Sequence, residues 1–151
     1  MVYKSNTKKR SKTDFIVVHC SATANQNIGA ADIDKWHRAQ GWACIGYHYV
    51  IRRDGTVEKG RDEEVVGAHV AGFNERSIGI CMVGGVDAND HTKAKNNFTQ
   101  PQFDSLKKLL AELKQRYPSA VIQGHRDFAG VKKACPSFDV REWLKVAQLD
   151  N

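Results

Sequence analysis

The apolar residues of this chain fall into two kinds of pattern. Three short, nearly unbroken runs, Phe15-Ile16-Val17-Val18, Ile78-Gly79-Ile80-Cys81-Met82-Val83 and Ala120-Val121-Ile122, suit strands buried on both faces. Tyr47 to Arg52 is aromatic and β-branched, and Arg53-Asp54-Gly55 is a hairpin turn that returns as Thr56-Val57-Glu58-Lys59. Three other stretches carry a helical period. In residues 30–40, Ile33, Trp36, His37 and Gln40 share one side, and Gly41 is a stop signal. Thr99-Gln100-Pro101-Gln102 is a capping box opening the longest helix, with Phe103, Leu106, Leu109, Leu110 and Leu113 as its stripe and Tyr117-Pro118 as its end. Asp139 can cap a last helix whose inner face is Val140, Trp143, Leu144 and Ala147. The order β-α-β-β-β-α-β-α predicts a single α/β domain, a mixed central β-sheet flanked by helices.

Composition narrows the setting. At 151 residues with 41% hydrophobic and 26% charged residues, the chain suits one globular domain with a buried core. Residues 1–13 are polar, basic and unpatterned, which predicts a flexible tail ahead of a domain over 14–151. The start lacks the apolar centre of a signal peptide, and no run is long enough to span a bilayer. Synthesis in the cytoplasm is expected, with any external target reached by release. A net charge of +6 implies attraction to a polyanion such as a nucleic acid, an anionic cell wall or a membrane surface. Four widely spaced cysteines at 20, 44, 81 and 135 contain no CxxC pair and are expected to be reduced thiols.

The chemistry concentrates at strand ends. His19 follows the first buried run, His125 follows the run at 120–122, and Cys135 lies one loop later. Two imidazoles and a thiolate are the ligand set of an open zinc site, whose fourth position is left for water. Zinc held this way lowers the pKa of its water to about 7 and polarises a carbonyl, the chemistry of amide or ester hydrolysis. Each residue also has a structural reading as strand end or loop packing. Tyr47 could orient water or pass a proton, and Lys132 or Lys133 could stabilise an oxyanion. His69 could be a further site histidine or a substrate contact. His37 reads as packing or surface, and His48 should face away from Tyr47. GxSxG and phosphate-loop motifs are absent. Glu58, Asp62, Glu63 and Glu64 cluster, but in a polar stretch that reads as a solvated face rather than a glycosidase pair.

These motifs together are familiar. His19-Cys20-Ser21-Ala22-Thr23, Gly46-Tyr47-His48-Tyr49-Val50-Ile51, Arg53-Asp54-Gly55-Thr56-Val57-Glu58, Gly67-Ala68-His69, Asn74 with Ser77-Ile78-Gly79-Ile80, and Ala134-Cys135-Pro136-Ser137-Phe138 occur in one order. The chain resembles the zinc N-acetylmuramoyl-L-alanine amidases that share the peptidoglycan-recognition-protein fold, above all the small lysozymes of T-odd-type phages, over roughly residues 14 to 145. The resemblance implies one Zn2+ on His19, His125 and Cys135, with Tyr47 and Lys133 as catalytic residues and His69 and Asn74 as substrate contacts. It implies hydrolysis of the amide between N-acetylmuramic acid and L-alanine of peptidoglycan during host lysis. The phage branch also implies a possible second partner, the phage RNA polymerase. A monomer without membrane insertion or direct nucleic acid binding is expected.

Overall fold

In the computed structural model, which describes residues 8–151, the predicted order of elements is realised. The three apolar runs are β1 (Phe15–Cys20), β4 (Ser77–Met82) and β5 (Val121–Gly124). The hairpin is β2 (Tyr49–Ile51) and β3 (Val57–Lys59). The sheet order is β3-β2-β4-β1-β5, parallel except for the β2–β3 hairpin, so the sheet is mixed. β1 and β4 lie in the middle and are buried at every residue but Phe15, which is why their sequences are unbroken rather than alternating.

Three helices, α1 (Ala30–Ala39), α2 (Gln100–Arg116) and α3 (Val140–Val146), complete the domain. On one face of the sheet, Ile16, Val18, Ile80 and Ile122 pack with Leu106 and Leu110 of α2 and Leu144 of α3. On the other face α1 covers only part: Cys81 and Val83 meet Ile33, whereas Val17 meets Val70 and Phe128 from loops. Alternation along the strands turns Val17, His19, Gly79 and Cys81 to this second, partly loop-covered face.

The capping box forms as read. Thr99 Oγ1 accepts from Gln102 N, and Gln102 Oε1 accepts from Thr99 N at 3.0 Å. Gln102 does more than its motif suggests. It is fully buried, and its Nε2 donates to the carbonyls of Ile51 and Val83 at 3.1 and 2.9 Å, tying the ends of β2 and β4.

The structure departs from the sequence reading in four places. The strand read over 47–52 is regular only over Tyr49–Ile51; before it, the successive N–H groups of Gly60 and Arg61 donate to the carbonyls of His48 and Tyr47 at 2.8 and 2.9 Å, which breaks the regular antiparallel ladder. Two one-turn 3₁₀ helices, Asn74–Arg76 and His125–Asp127, were unread because three residues carry no period. The tail expected over residues 1–13 lies outside the described residues as far as Thr7. From Lys8 onward the chain is docked rather than free: Arg10 N donates to Glu64 O at 2.7 Å, Val66 N to Lys8 O at 2.9 Å, and Arg10 Nε to Glu63 O at 2.8 Å. Backbone pairing of this kind needs no apolar residues, so no pattern announced it.

Glu63, placed by sequence on a solvated face, is instead a knot. It accepts from the hydroxyls of Tyr49 and Tyr117 and from Arg116. Burial pushes its carboxyl up, but these donors outweigh it and hold the pKa at about 2.

Candidate metal centre and substrate groove

The register of β1 on β5 creates the site. Val18 stands opposite Gly124, so His19 and His125 are the next residues of two adjacent parallel strands, and their rings lie 4.6 Å apart. Cys135 is brought to the same point by backbone ties. Arg126 N donates to Cys135 O at 2.9 Å, Cys20 N to Cys135 Sγ at 3.2 Å, and Ser137 Oγ to Gly85 O at 2.8 Å. Gly124 permits this approach, since a Cβ there would lie 2.9 Å from Pro136 Cδ.

One donor atom from each of His19, His125 and Cys135 lies within 4.8 Å of the others, with His19 Nδ1 4.0 Å from Cys135 Sγ. Ligands around a tetrahedral zinc are about 3.3–3.8 Å apart, so the cluster fits an ion with a small contraction. His19 is buried, while His125 and Cys135 are half-buried and open toward a groove. Among the described residues this is the one His/Cys/carboxylate cluster of ligating geometry. Two imidazoles, one thiol and an open side select zinc over magnesium or calcium, which take oxygen ligands.

Electrostatics favour ligation. Burial, followed by the neighbouring His125, lowers the His19 pKa well below its ordinary value, and burial together with the Lys133 ammonium lowers that of His125. Both imidazoles therefore offer lone pairs at neutral pH. The adjacent Cys20 thiol and burial hold the Cys135 thiol protonated, while the Cys20 backbone N–H acts in the opposite sense. Metal binding would release that proton.

Behind the three candidate ligands lies a layer of buried histidine. His69 Nδ1 is 2.9 Å from His19 Nε2. His48, whose ring lies 5.7 Å from that of His69, accepts from Gly79 N at its Nδ1 and donates from Nε2 to Val65 O at 2.7 Å. Burial lowers its pKa to about 4. The unfolded chain takes up this proton near pH 6.5, but the folded chain only near 4. The metal-free protein is therefore expected to be fully stabilised above pH 6.5 and to lose about 3 kcal/mol from His48 alone as pH falls from 6.5 to 4. His19 and His69, also lowered, add in the same direction. Glu63, held at about 2 in the folded chain, begins to add its own loss only as pH falls below the ordinary carboxylate value near 4.5. Urea midpoints at pH 7.5 and 4.5 measure the loss, and equal midpoints would contradict it.

Gly79 makes room for this layer. A Cβ there would sit 2.7–2.8 Å from three atoms of the His69 ring. Gly79→Ala is expected to cost about 1–3 kcal/mol by overpacking and to weaken metal binding by displacing His69. Thermal unfolding and a zinc titration check it, and wild-type values in both would refute the packing argument.

The groove has a volume of about 840 Å³ and is lined by His19, Tyr47, His69, Asn74, His125, Lys133 and Cys135, the residues expected from sequence to form the site. Tyr47 lies on its floor with its ring 5.1 Å from His19. Burial, then the nearby thiols of Cys81, Cys135 and Cys20, pushes its phenol well above the ordinary value. It stays protonated and is a donor. Lys132 and Lys133 both line the groove, but it is Lys133 that bears on His125. Asn74 also reaches the groove, yet its Oδ1 is spent on the backbone N–H groups of His69 and Val70 at 2.8 and 2.9 Å. The sequence reading passed over Trp42, a partly exposed aromatic on the groove wall whose ring lies tilted against that of His37, 4.4 Å away. Its only signal was a tryptophan beside a helix-ending glycine.

Comparison with known proteins agrees with this geometry. Residues 9–138 match the N-acetylmuramoyl-L-alanine amidase family. The endolysin of Enterobacteria phage K11 is 51% identical over 142 residues, covering 93% of this chain and 91% of that protein. Among solved structures, the N-acetylmuramoyl-L-alanine amidase LysC from Clostridium intestinale superposes with a TM-score of 0.79 at 29% identity, covering 99% of this chain and 96% of LysC. Drosophila PGRP-LB, at 23% identity and a TM-score of 0.76 over 96% of this chain and 86% of its own, shares the fold.

Proposed function

The chain belongs to the N-acetylmuramoyl-L-alanine amidase family, and from that premise we propose a zinc-dependent phage endolysin. It hydrolyses the amide between N-acetylmuramic acid and L-alanine in host peptidoglycan. The observation that carries the zinc reading is the convergence of His19, His125 and Cys135 at one end of the groove.

A zinc ion held by those three residues would supply the Lewis acidity that polarises a carbonyl and acidifies water. The chain's own residues do the rest. The groove orients the muropeptide so that the scissile amide lies beside His19 and His125. Tyr47, kept protonated, donates a hydrogen bond to the oxygen on which negative charge develops. The Lys133 ammonium adds positive charge on the same side. The surplus of basic residues favours approach to an anionic wall. No helix among the described residues is long and apolar enough to cross a membrane. Synthesis in the host cytoplasm, release at lysis and a monomeric state belong to the same proposal. So does a phage RNA polymerase partner, which co-purification with the polymerase would test.

Mass spectrometry of purified peptidoglycan digested by zinc-loaded protein, with a chelated control, tests the proposal. Stem peptides beginning with L-alanine, alongside intact glycan strands and lost on chelation, are expected. New reducing sugar ends would overturn it in favour of a glycosidase. Wall binding without products would make the chain a recognition module.

A further inference from the structure

Beneath the ligand cluster runs a line of hydrogen bonds whose polarity is fixed at its far end. Ser77 Oγ lies 2.8 Å from the carbonyl of Phe73, which can only accept. The single hydroxyl proton is therefore committed to Phe73. Ser77 Oγ is then an acceptor for its other neighbour, His69 Nε2, at 3.2 Å. His69 thus carries its proton on Nε2 and presents a lone pair at Nδ1. That lone pair faces His19 Nε2 at 2.9 Å, so His19 holds its own proton on Nε2. What remains on His19 is the Nδ1 lone pair, on the side of Cys135 Sγ.

We propose that Phe73, Ser77 and His69 form a positioning relay that locks His19 in the single tautomer able to ligate metal through Nδ1. The inference rests on the metal-site reading above and adds a role for His69 other than substrate contact.

The surroundings are built for it. Asn74 Oδ1 clamps the backbone N–H groups of His69 and Val70, fixing the start of the line. The 3₁₀ turn Asn74–Arg76 then leads directly into Ser77, so both relay side chains come from one nine-residue segment. Glycine at 79 and at 67 leaves the space the His69 ring occupies, with a Cβ at either position 2.7–2.8 Å from ring atoms. His69 and Ser77 are both buried, so solvent does not compete for these bonds. An imidazole free to exchange tautomers would spend part of its time with a proton on the ligating nitrogen. Outer partners of ligating histidines remove that ambiguity and raise ligand basicity.

The test begins with the unaltered, metal-free protein, whose histidine tautomers can be read by long-range proton–nitrogen correlation with ¹⁵N-labelled histidine. Both His19 and His69 are expected as Nε2–H. A proton on Nδ1 of either would overturn the relay even if the protein binds zinc and cleaves its substrate. Zinc affinity, measured by competition with a chromogenic chelator, supplies the second arm. His69→Ala is expected to lose roughly 10- to 100-fold. His69→Asn, whose Oδ1 stands near the Nδ1 position and can accept from His19, should recover most of that loss. Equal losses in the two variants, with circular dichroism showing both folded, would reduce His69 to packing. Should His69→Ala fail to fold, the tautomer spectrum decides alone. A wild-type protein that binds no zinc would instead defeat the metal-site reading and leave the tautomer result to judge the relay.

Discussion

Cys135→Ser is expected to cut zinc affinity by roughly 10²–10³-fold and to abolish amide hydrolysis at ordinary zinc concentrations. Zinc sites built from four side chains bind with about 10–16 kcal/mol, near 3 kcal/mol per ligand. A serine hydroxyl keeps its proton at neutral pH, so the substitution removes the one anionic ligand rather than replacing it. The fold should survive. Cys135 is half-buried, and the ties that place its backbone, such as Arg126 N to Cys135 O, do not use the sulfur. The Cys20 N–H does lose a sulfur acceptor, but a serine oxygen can take its place. Metal analysis after dialysis and assay of peptide release measure the two effects separately. A variant retaining stoichiometric zinc and full activity would remove Cys135 from the ligand set.

Much of this architecture was legible because burial writes simple patterns. β1 and β4 are enclosed on both faces, so Phe15–Val18 and Ile78–Val83 had to be apolar throughout. The capping box at Thr99 is a local motif with local bonds, and it formed where the sequence placed it. The three candidate ligands were legible by type and by position at strand ends, but their convergence was not. It depends on β1 pairing with β5 in the register that sets Val18 against Gly124, and on a loop returning across Gly124. No local pattern encodes either.

What stayed hidden was held by backbone atoms or lay one contact away from the ligands. Lys8 and Arg10 dock through main-chain bonds on a polar segment that composition describes as a tail. Glu63 sits among acidic neighbours, and only the arrival of Tyr49, Tyr117 and Arg116 from distant positions distinguishes it. His69 was noticed as a histidine near the site, but its relation to His19 crosses 50 residues of chain. Sequence therefore exposed the groups that would touch metal or substrate more readily than the groups that orient them.

Tyr47→Phe separates catalysis from metal binding, which Cys135→Ser cannot. The substitution removes one oxygen and keeps the ring that packs 5.1 Å from His19 and 5.5 Å from His37. Zinc content and thermal stability are expected to match the unaltered protein. The turnover number should fall by roughly 10²–10³-fold, the usual cost of one missing donor to a developing oxyanion, or about 3–4 kcal/mol. KM should change little, because the bond strengthens as charge develops and contributes less to the bound substrate. Burial and the surrounding thiols keep the phenol protonated well past neutrality, so Tyr47 acts as a donor across the working range. An alkaline limb in the activity profile would then belong to a group other than this phenol. Loss of zinc in Tyr47→Phe would assign the phenol to holding the site together, and unchanged turnover would leave Lys133 to stabilise the oxyanion without it.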